Sequence, residues 1–412
     1  MEAQKTIRLL YWTREEFPTS RVDVDVLFGR ELIGRGHQID FVMQAASVEV
    51  PTGPQPWRGR TVYVGRTAAG GLVARVSKLW HGFWHDLATL SRASRERYDA
   101  VQFRDKFVIA AIGVLVARAR GLKYFYWLSF PYPEADILHA DTGTTRFPFF
   151  ARLRGRISGW LLYRWILPRA DHAFVQSERM RQDIMRMGIN PALMTPVPMG
   201  IAEADIDSMP AAGARSAPAQ FTLGYLGVLS ADRHLETLVQ TLASLLREGH
   251  QVKLLLVGGA YDPADRKALE SLAENLEVAS HFEITGNLPR EQALLRTLEM
   301  DVAFSPIHPS PIFLPASPTK LVEYLALRIP VIANNIPDQR AVLRASRGGV
   351  TTPWGVRHFA RAARFLMRLG ADERAAMGES GRDWVRKHRI YRHIADEVEA
   401  EYRKQLSRPA GA

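Results

Sequence analysis

The segment SPTKLVEYLALRIPVIAN, residues 317–334, places groups that bind an anion one helical turn before a carboxylate. Ser317 is predicted to be the N-cap of a short helix, and Pro318 suits the first helical position. A helix that begins here offers free backbone N–H groups and a positive dipole end, to which Lys320 adds an ammonium. Glu323 lies one turn further along the same face and can accept hydrogen bonds from two hydroxyl groups of a ribose. The segment therefore predicts an anion site beside a ribose.

Glycines and a second cation occur in loops that follow predicted strands of the second half. Ligands of open parallel sheets bind beyond the carboxyl ends of the strands, where these loops lie. Gly227, Gly258 and Gly286 each let the backbone approach a ligand closely. Arg233, in the first of these loops, could hold a diphosphate together with Lys320. The alternative is a surface ion pair between Lys320 and the carboxylate three residues later, but it leaves the alignment of the loops unexplained.

Composition limits the classes of protein that the chain can form. With 412 residues, two domains are expected, and 47% hydrophobic and 24% charged residues are typical of a globular protein. The chain has no cysteine, which excludes disulfides, thiolate metal sites and a cysteine nucleophile. We expect no signal peptide, and the longest apolar run, Phe107–Ala117, is too short to cross a bilayer. These features predict a soluble or peripheral protein.

Positive charge is concentrated in the first half of the chain. Residues 1–200 contain 28 Lys and Arg against 18 Asp and Glu, whereas the second half is nearly balanced. Such an excess favours an anionic partner, although arginine used only for solubility is an alternative explanation. Nucleic acid is not the expected partner, because the sequence has neither a zinc pattern nor an aromatic RNA-binding motif.

Both halves alternate strand-like and helix-like segments, which is typical of parallel sheets with crossover helices. The predicted fold class is therefore α/β, with two Rossmann-like domains. A stretch rich in Ala, Pro, Gly and Ser separates the two halves. The predicted boundaries are residues 1–202 for the first domain, 203–220 for the linker, 221–385 for the second domain and 386–412 for a C-terminal helix that could return to the first. The predicted strands are Ile7–Trp12, Gln38–Met43, Ala100–Phe103, Tyr124–Leu128, His172–Gln176, Thr222–Leu226, Val252–Val257, Phe282–Thr285, Val302–Ser305 and Val331–Ala333.

Several motifs, in order and at matching spacing, resemble the family 4 glycosyltransferases with the GT-B fold. In the second half these are GYLGVLSADRHLETL, LLLVGG, FEITGNLP, DVAFSP and SPTKLVEYLALRIPVIAN. The first half agrees through SRVDVDVLFGRELIGRGHQIDFV and through DHAFVQSERMRQDIMRMG followed by VPMGI. The resemblance covers most of the chain, and its PTKLxEY motif is similar to that of one branch of the family.

The resemblance implies two domains that face each other across a cleft. It implies a nucleotide-diphosphate sugar donor, linked to UDP or GDP, held mainly by the second domain, with no further cofactor. A glycan or polyprenyl-diphosphate-linked acceptor would be held mainly by the first domain, and the sugar would be transferred with retention of anomeric configuration.

Family motifs also imply roles for individual residues. Glu323 corresponds to the carboxylate on the nucleotide ribose, and Arg233 to the basic diphosphate ligand. Arg233 and Lys320 would stabilise the charge that develops on the leaving group. The predicted donor-binding residues are Gly227, Gly258, Gly286, Asn287, Ser317, Thr319, Leu321 and Glu323. Two positions depart from the family pattern, because Pro315 replaces the first glutamate of a pair and Val228 replaces an arginine.

The loops of the first half supply the candidate acceptor residues. Ser20 and Arg21 follow the first predicted strand, and Arg104 and Asp105 follow another. The arginines are candidates for binding a phosphate of the acceptor or donor, and Asp105 for orienting a sugar hydroxyl near the reaction. Structural salt bridges are an equal alternative for each. No metal site is predicted, because the pair of aspartates in residues 23–25 falls within a helical pattern.

Residues 70–98 are predicted to form an amphipathic helix that docks on an anionic membrane. Trp80 and Trp84 flank its apolar stripe, and the basic residues around it are Arg75, Lys78, Arg92, Arg95 and Arg97. Packing of the stripe on the domain core is the alternative. The apolar stripe comprises Leu72, Val76, Leu79, Phe83, Leu87 and Leu90.

The predicted function is a hexosyltransferase of surface or exopolysaccharide synthesis, cytoplasmic and peripheral on the inner face of the cell membrane. Transfer to a soluble small molecule or to a protein is an alternative acceptor choice. A GT-B epimerase, a phosphorylase-like enzyme and a non-catalytic basic binding protein are further alternatives.

Overall fold

The computed structural model of the protein describes residues 6–19, 21–207 and 220–408. The chain divides into two compact units, Met1–Pro198 with Tyr391–Ala412, and Met199–Ile390. Residues 199–202 and 386–390, predicted to lie outside the second domain, are thus part of the second unit. The predicted linker begins with a short helix at Glu203–Asp207, and its residues 208–219 lie outside the described residues.

The first unit contains an eight-stranded sheet in the order β3-β4-β2-β1-β5-β6-β7-β8. Only β3 is antiparallel to its neighbour, and the other strand pairs are parallel. The strands are β1 (Arg8–Phe17), β2 (Gln38–Ala45), β3 (Gly53–Trp57), β4 (Arg60–Gly65), β5 (Ala100–Arg104), β6 (Lys123–Leu128), β7 (His172–Val175) and β8 (Met194–Pro196).

The second unit contains a six-stranded, wholly parallel sheet in the order β11-β10-β9-β12-β13-β14. Buried, mostly apolar strands of three to six residues are expected where helices cover both faces of a parallel sheet. The strands are β9 (Phe221–Leu226), β10 (Val252–Val257), β11 (Phe282–Ile284), β12 (Val302–Ser305), β13 (Val331–Asn334) and β14 (Gly349–Thr352). All ten predicted strands are confirmed, and the fold class is α/β as predicted.

Helices connect the strands in both units. Residues Asp23–Leu32 and Leu161–Ile166 form wide π-type turns, and the latter continues a regular helix. The α-helices are α1 (Leu72–Leu90), α2 (Val108–Ala119), α3 (Tyr132–Asp141), α4 (Pro148–Trp160), α5 (Glu178–Arg186), α6 (Glu203–Asp207), α7 (Glu236–Arg247), α8 (Pro263–Asn275), α9 (Arg290–Thr297), α10 (Thr319–Ala326), α11 (Pro337–Ser346), α12 (Val356–Arg368), α13 (Ala371–His388) and α14 (Tyr391–Ser407). Among the described helices, none is long and apolar enough to cross a membrane.

Helix α14, at the end of the described chain, packs on the sheet of the first unit. Its Tyr402 is buried and donates a hydrogen bond to the side-chain oxygen of Gln102 on β5. The Tyr402 ring also packs edge-on against Phe125 of β6, with centroids 4.8 Å apart. The last helix therefore completes the core of the first unit.

Candidate active site

Helix α10 begins without a side-chain cap. Its preceding residue is Pro318, and no side chain accepts a hydrogen bond from the first turn. The predicted N-cap is wrong, because the buried Ser317 hydroxyl accepts from Met199 N at 3.0 Å and donates to Asp338 Oδ2 at 2.9 Å. Arg389 donates to the same hydroxyl at 3.3 Å. No side chain of the described residues therefore accepts from the N–H groups at the start of α10, which leaves a helix terminus suited to an anion.

The side chain of Lys320, in the first turn of α10, lies against the backbone that follows β9. A Cβ atom added to Gly227 would overlap Lys320 Cε and lie 2.6 Å from its Nζ. Gly227 also has a φ of +146°, which favours glycine. The Lys320 ammonium is 5.5 Å from the centroid of the Tyr225 ring. The backbone conformation and the close approach of the lysine both favour glycine at position 227.

Three glycine-containing loops meet beside that lysine. A Cβ atom at Gly258 would overlap the carbonyl oxygen of Gly227, and Gly258 pairs with Gly286 in an isolated β-bridge. A Cβ atom at Gly259 would overlap the side-chain oxygen of Asn287. The predicted residues Gly227, Gly258, Gly286 and Asn287 are thus brought together at the carboxyl ends of β9, β10 and β11.

Arg233 supplies a second positive charge close to Lys320. It lies at the end of a short 3-10 turn after β9, and its Nε is buried without a hydrogen-bond partner. Burial, helped by the Arg233 charge and opposed by Glu323, lowers the pKa of Lys320 to about 8. Within the described parts of the chain, neither cation forms an ion pair. No described carboxylate is therefore paired with either cation to offset their mutual repulsion.

Glu323 lies one turn after Lys320 on α10. The surface ion pair that was the alternative explanation for these two residues does not form in the described structure. Burial raises the pKa of Glu323, and the positive charges of Lys320 and Arg290 oppose that rise. Its carboxylate accepts no hydrogen bond from any described residue, so it can accept the hydroxyl groups of a ligand.

Three aromatic rings form a cluster next to the Arg233 turn. The rings of His234 and His308 have centroids 4.4 Å apart, and His308 lies 5.3 Å from Trp354. His234 adopts a left-handed backbone conformation with φ +53°. Burial and the neighbouring His234 lower the pKa of His308. Sequence analysis did not identify this cluster; its signal is a histidine in each of the loops after β9 and β12.

Asn334, at the end of β13, anchors the loop that leads to α10. Its Oδ1 accepts from the backbone N–H of Ile307 at 2.7 Å, and its Nδ2 donates to the Ile307 carbonyl at 2.6 Å. Gln339 donates to the backbone carbonyl of Asn334 at 3.0 Å. These bonds fix the start of the loop after β12, which carries His308.

The predicted residues of the first unit form a buried ionic cluster. Arg104 has 0% side-chain exposure and lies 2.8 Å from Asp23 and 3.5 Å from Asp105. Arg21 is partly exposed and pairs with Asp23 at 3.0 Å. Burial alone would raise the pKa of Asp23, but the guanidinium groups of Arg104 and Arg21 outweigh burial and lower it. In this structure the side chain of Arg104 is therefore buried and paired with two carboxylates of the protein.

Asp105 is held by Ser129, the residue that follows the neighbouring strand β6. It adopts φ +53°, accepts from the backbone N–H of Ser129 at 2.9 Å, and also accepts from the Ser129 hydroxyl. Burial raises the pKa of Asp105 against the opposing charge of Arg104. Ser20 lies outside the described residues. Sequence analysis missed Asp23 and Ser129 as partners, because both pairings form only in the folded unit.

The described residues contain no group of three or more His, Cys, Asp or Glu side chains that could hold a metal ion. Both aspartates of the 23–25 segment are paired with arginines. Asp25 lies 2.7 Å from Arg30 and 2.7 Å from Arg58. The carboxylates of both aspartates therefore form ion pairs with side chains of the protein.

Family comparisons match each half of the chain separately. Residues 27–200 match the glycosyl transferase 4-like domain, and residues 213–384 match glycosyl transferases group 1. Together the two matches cover well over half of the chain. Comparison with curated proteins gave no match.

Solved structures share the fold along nearly the whole chain. Sucrose-phosphate synthase from Thermosynechococcus elongatus is 17% identical with a TM-score of 0.73, and the alignment covers 97% of this chain and 99% of that one. HepE of Anabaena, in complex with UDP and glucose, is 14% identical with a TM-score of 0.67 and coverage of 97% and 100%.

A third similar structure is WaaG, a glycosyltransferase involved in lipopolysaccharide biosynthesis. It is 16% identical with a TM-score of 0.64, and the alignment covers 95% of this chain and 98% of that one. Because both domains match and the GT-B fold is shared, the chain is a glycosyltransferase of the GT-B class, with a 4-like domain followed by a group 1 domain.

Proposed function

We propose that the protein transfers a hexose from a UDP- or GDP-sugar to a lipid-linked glycan acceptor, with retention of anomeric configuration. The observation that carries this proposal is the pair of unneutralised cations, Lys320 and Arg233, beside three glycine loops. A diphosphate supplies the missing negative charge. Its several oxygen atoms can contact both cations and the free N–H groups at the start of α10. Glu323, one turn away, accepts the ribose hydroxyl groups. UDP bound to a protein of the same fold supports this choice of ligand.

The chemistry of transfer follows from the charge on the leaving group. The bond between the anomeric carbon and the donor phosphate oxygen breaks, and a bond from the same face of the sugar to the acceptor oxygen forms. The leaving phosphate takes the proton of the acceptor hydroxyl, so that no side chain serves as base. Arg233 and Lys320 stabilise the growing negative charge because they are held in place before the reaction.

A lipid-linked acceptor is favoured by the surface of α1. Leu79 is 74% exposed, and Trp80 and Trp84 are also exposed, whereas Leu90 packs in the core. The first half of α1 thus has the apolar, aromatic surface of an interfacial helix, while its end follows the alternative prediction of core packing. Leu72 and Arg75 lie outside the described side chains. We place the enzyme on the cytoplasmic face of the cell membrane, where nucleotide sugars and polyprenyl-linked acceptors meet.

A thermal-shift assay with a panel of UDP- and GDP-sugars tests the donor. We expect one donor to raise the melting temperature of the protein but not that of Glu323→Ala. Protection of neither form by any donor in the panel would overturn the proposal.

Turnover assays then compare polyprenyl-diphosphate-linked and soluble acceptors, and NMR of the product gives the anomeric configuration. We expect the lipid-linked acceptor to be used and the configuration to be retained. An inverted product would overturn retention, and transfer only to soluble acceptors would overturn the lipid-linked assignment. An epimerised donor would support the alternative epimerase.

A further inference from the structure

Helix α4 presents a row of large apolar side chains to solvent. Phe149 is 70% exposed, Phe150 is 67% exposed, and Leu153, Ile157 and Trp160 continue the row with 44% to 58% exposure. Spacings of three and four residues place them on one face of the helix. A contiguous exposed patch of this kind marks an interaction surface more often than a solvated one.

The opposite face of α4 is tightly packed. Ala151, Gly155 and Ser158 are buried there, and a Cβ atom at Gly155 would lie only 2.7 Å from the carbonyl oxygen of Pro133 on α3. This close packing fixes which face of α4 points outwards. The exposed row is therefore a consequence of the fold and not of a loosely placed helix.

Arginines surround this apolar row without any acidic residue in the same stretch. Residues 145–170 contain six arginines and no Asp or Glu. Arg152 and Arg154 pair with Asp141 and Asp136 of α3, at 2.5 Å and 2.6 Å. Arg156 and Arg164 are exposed and form no ion pair with any described residue. The patch is thus both apolar and positively charged.

Helices α1 and α4 both lie at the carboxyl edge of the first sheet. Asp86 of α1 lies 2.6 Å from Lys106, which follows β5. Gly155 of α4 packs against Pro133 in the first turn of α3, and α3 begins just after the carboxyl end of β6. Leu90 of α1, and Leu162 and Ile166 just after α4, enter one core cluster, which places both helices on the same side of the sheet. The exposed residues of α1 and the Phe149–Phe150 pair occupy the first halves of their helices. Both helices consequently lie at the edge that carries Asp105.

We infer that α4 and α1 together form one docking surface for an anionic lipid membrane, with Phe149 and Phe150 inserted among the lipids. Arg156 and Arg164 meet the lipid phosphates, and the indole of Trp160 suits the boundary between apolar and polar layers. An anionic bilayer removes the apolar rows of both helices from water, and its phosphates pair with the arginines. This inference rests on the proposed lipid-linked acceptor, which the docked edge of the sheet would meet.

Vesicle co-sedimentation of the full chain tests the inference, with phosphatidylcholine vesicles that contain or lack phosphatidylglycerol. Phe149→Ser/Phe150→Ser should bind the anionic vesicles roughly tenfold more weakly, because two aromatic side chains no longer leave water. Tyr261→Ser changes an aromatic residue of the second unit that is 88% exposed, and this control should bind as the parent does.

The arginines are tested in the same assay by Arg156→Glu/Arg164→Glu. Each basic residue near an anionic surface contributes about 1 kcal/mol. Charge reversal of two should therefore weaken binding to anionic vesicles by at least roughly tenfold and reduce its dependence on salt. Arg344→Glu changes an exposed, unpaired arginine of the second unit and is the matched control. Circular dichroism of each variant confirms that it is folded.

Three outcomes would overturn the inference. They are equal binding of parent and α4 variants, equal binding to both kinds of vesicle, and a self-association of the parent that Phe149→Ser/Phe150→Ser abolishes while vesicle binding persists. Loss of binding in Trp80→Ala/Trp84→Ala alone would limit docking to α1. Protection of the parent by nucleotide sugars is measured in the same preparation, so that failure of the proposed function is recognised separately from failure of the docking surface.

Discussion

An arginine lies at or just after the end of a strand in both units, but the surroundings of the two arginines differ. Arg104, the last residue of β5, is wholly buried and lies 2.8 Å from Asp23. Arg233, after β9, forms no ion pair with any described carboxylate, and its charge acts on that of Lys320. A buried cation with carboxylate partners contributes to the fold, whereas neighbouring cations without partners cost folding energy that an anionic ligand can recover. Position at a strand end therefore does not distinguish the two arginines, whereas the lack of a carboxylate partner marks Arg233 as the candidate for binding an anionic ligand.

The largest expected effect is on the paired cluster. Arg104→Met should lower the free energy of unfolding by about 3–5 kcal/mol, because it leaves Asp23 buried without its main partner. Chemical denaturation measures the loss. Arg152→Met removes an exposed ion pair with Asp141 and should cost less than about 1 kcal/mol. Similar losses in both variants would show that the buried Arg104–Asp23 pair stabilises the fold no more than an exposed ion pair does.

Arg233→Ala should show the opposite pattern. We expect turnover to fall roughly a hundredfold, since the charge that Arg233 meets grows in the transition state. The free energy of unfolding should not fall by more than about 0.5 kcal/mol, because the change relieves repulsion with Lys320. Steady-state kinetics and denaturation of the same preparation measure both. A loss of stability as large as that of Arg104→Met would show that Arg233 is structural.

Glu323→Ala should weaken donor binding by about 1.5–3 kcal/mol, the range for hydrogen bonds to a charged group. The fold should stay intact, because no described residue donates a hydrogen bond to this carboxylate. Isothermal titration calorimetry with the preferred nucleotide sugar measures the change. Donor binding as tight as that of the parent would refute the ribose assignment.

The smallest effect concerns the pH dependence of donor binding. The pKa of Lys320 is lowered to about 8, so the ammonium that attracts the diphosphate is lost as the pH rises through that value. Donor affinity should fall with rising pH above about 8, by up to about tenfold per unit. Lys320→Arg keeps its charge in this range and should bind more weakly but without that fall. An identical pH profile in both proteins would assign the titration to another group.

Two of the four strands that sequence analysis missed, β3 and β14, have weak local signals. β3 has the sequence GPQPW, and two prolines within five residues argue against a strand unless it lies at the edge of a sheet, as β3 does. β14 is a four-residue edge strand that begins with Gly349. Most of the ten predicted strands lie in apolar runs that are buried in the sheets, where local pattern and tertiary packing agree.

Within the candidate site, the sequence predicted those residues whose positions follow from short spacings along the chain. Lys320 and Glu323 lie on one helix, and the glycines follow consecutive strands, so spacing was sufficient to group them. Ser317 shows the limit of this reasoning. The local sequence favours Ser317 as an N-cap. Its hydroxyl group instead forms hydrogen bonds with Asp338 and Arg389, which are 21 and 72 residues away. Contacts at such separations cannot be inferred from a local motif.

The return of α14 to the first unit has a consequence for the synthesis of the chain. Tyr402 and its neighbours fill a core whose other residues have left the ribosome some two hundred residues earlier, with the whole second unit emerging in between. The second unit is contiguous in sequence and can fold as soon as it has emerged. The apolar face of the first unit that α14 covers therefore stays uncovered until α14 has been synthesised.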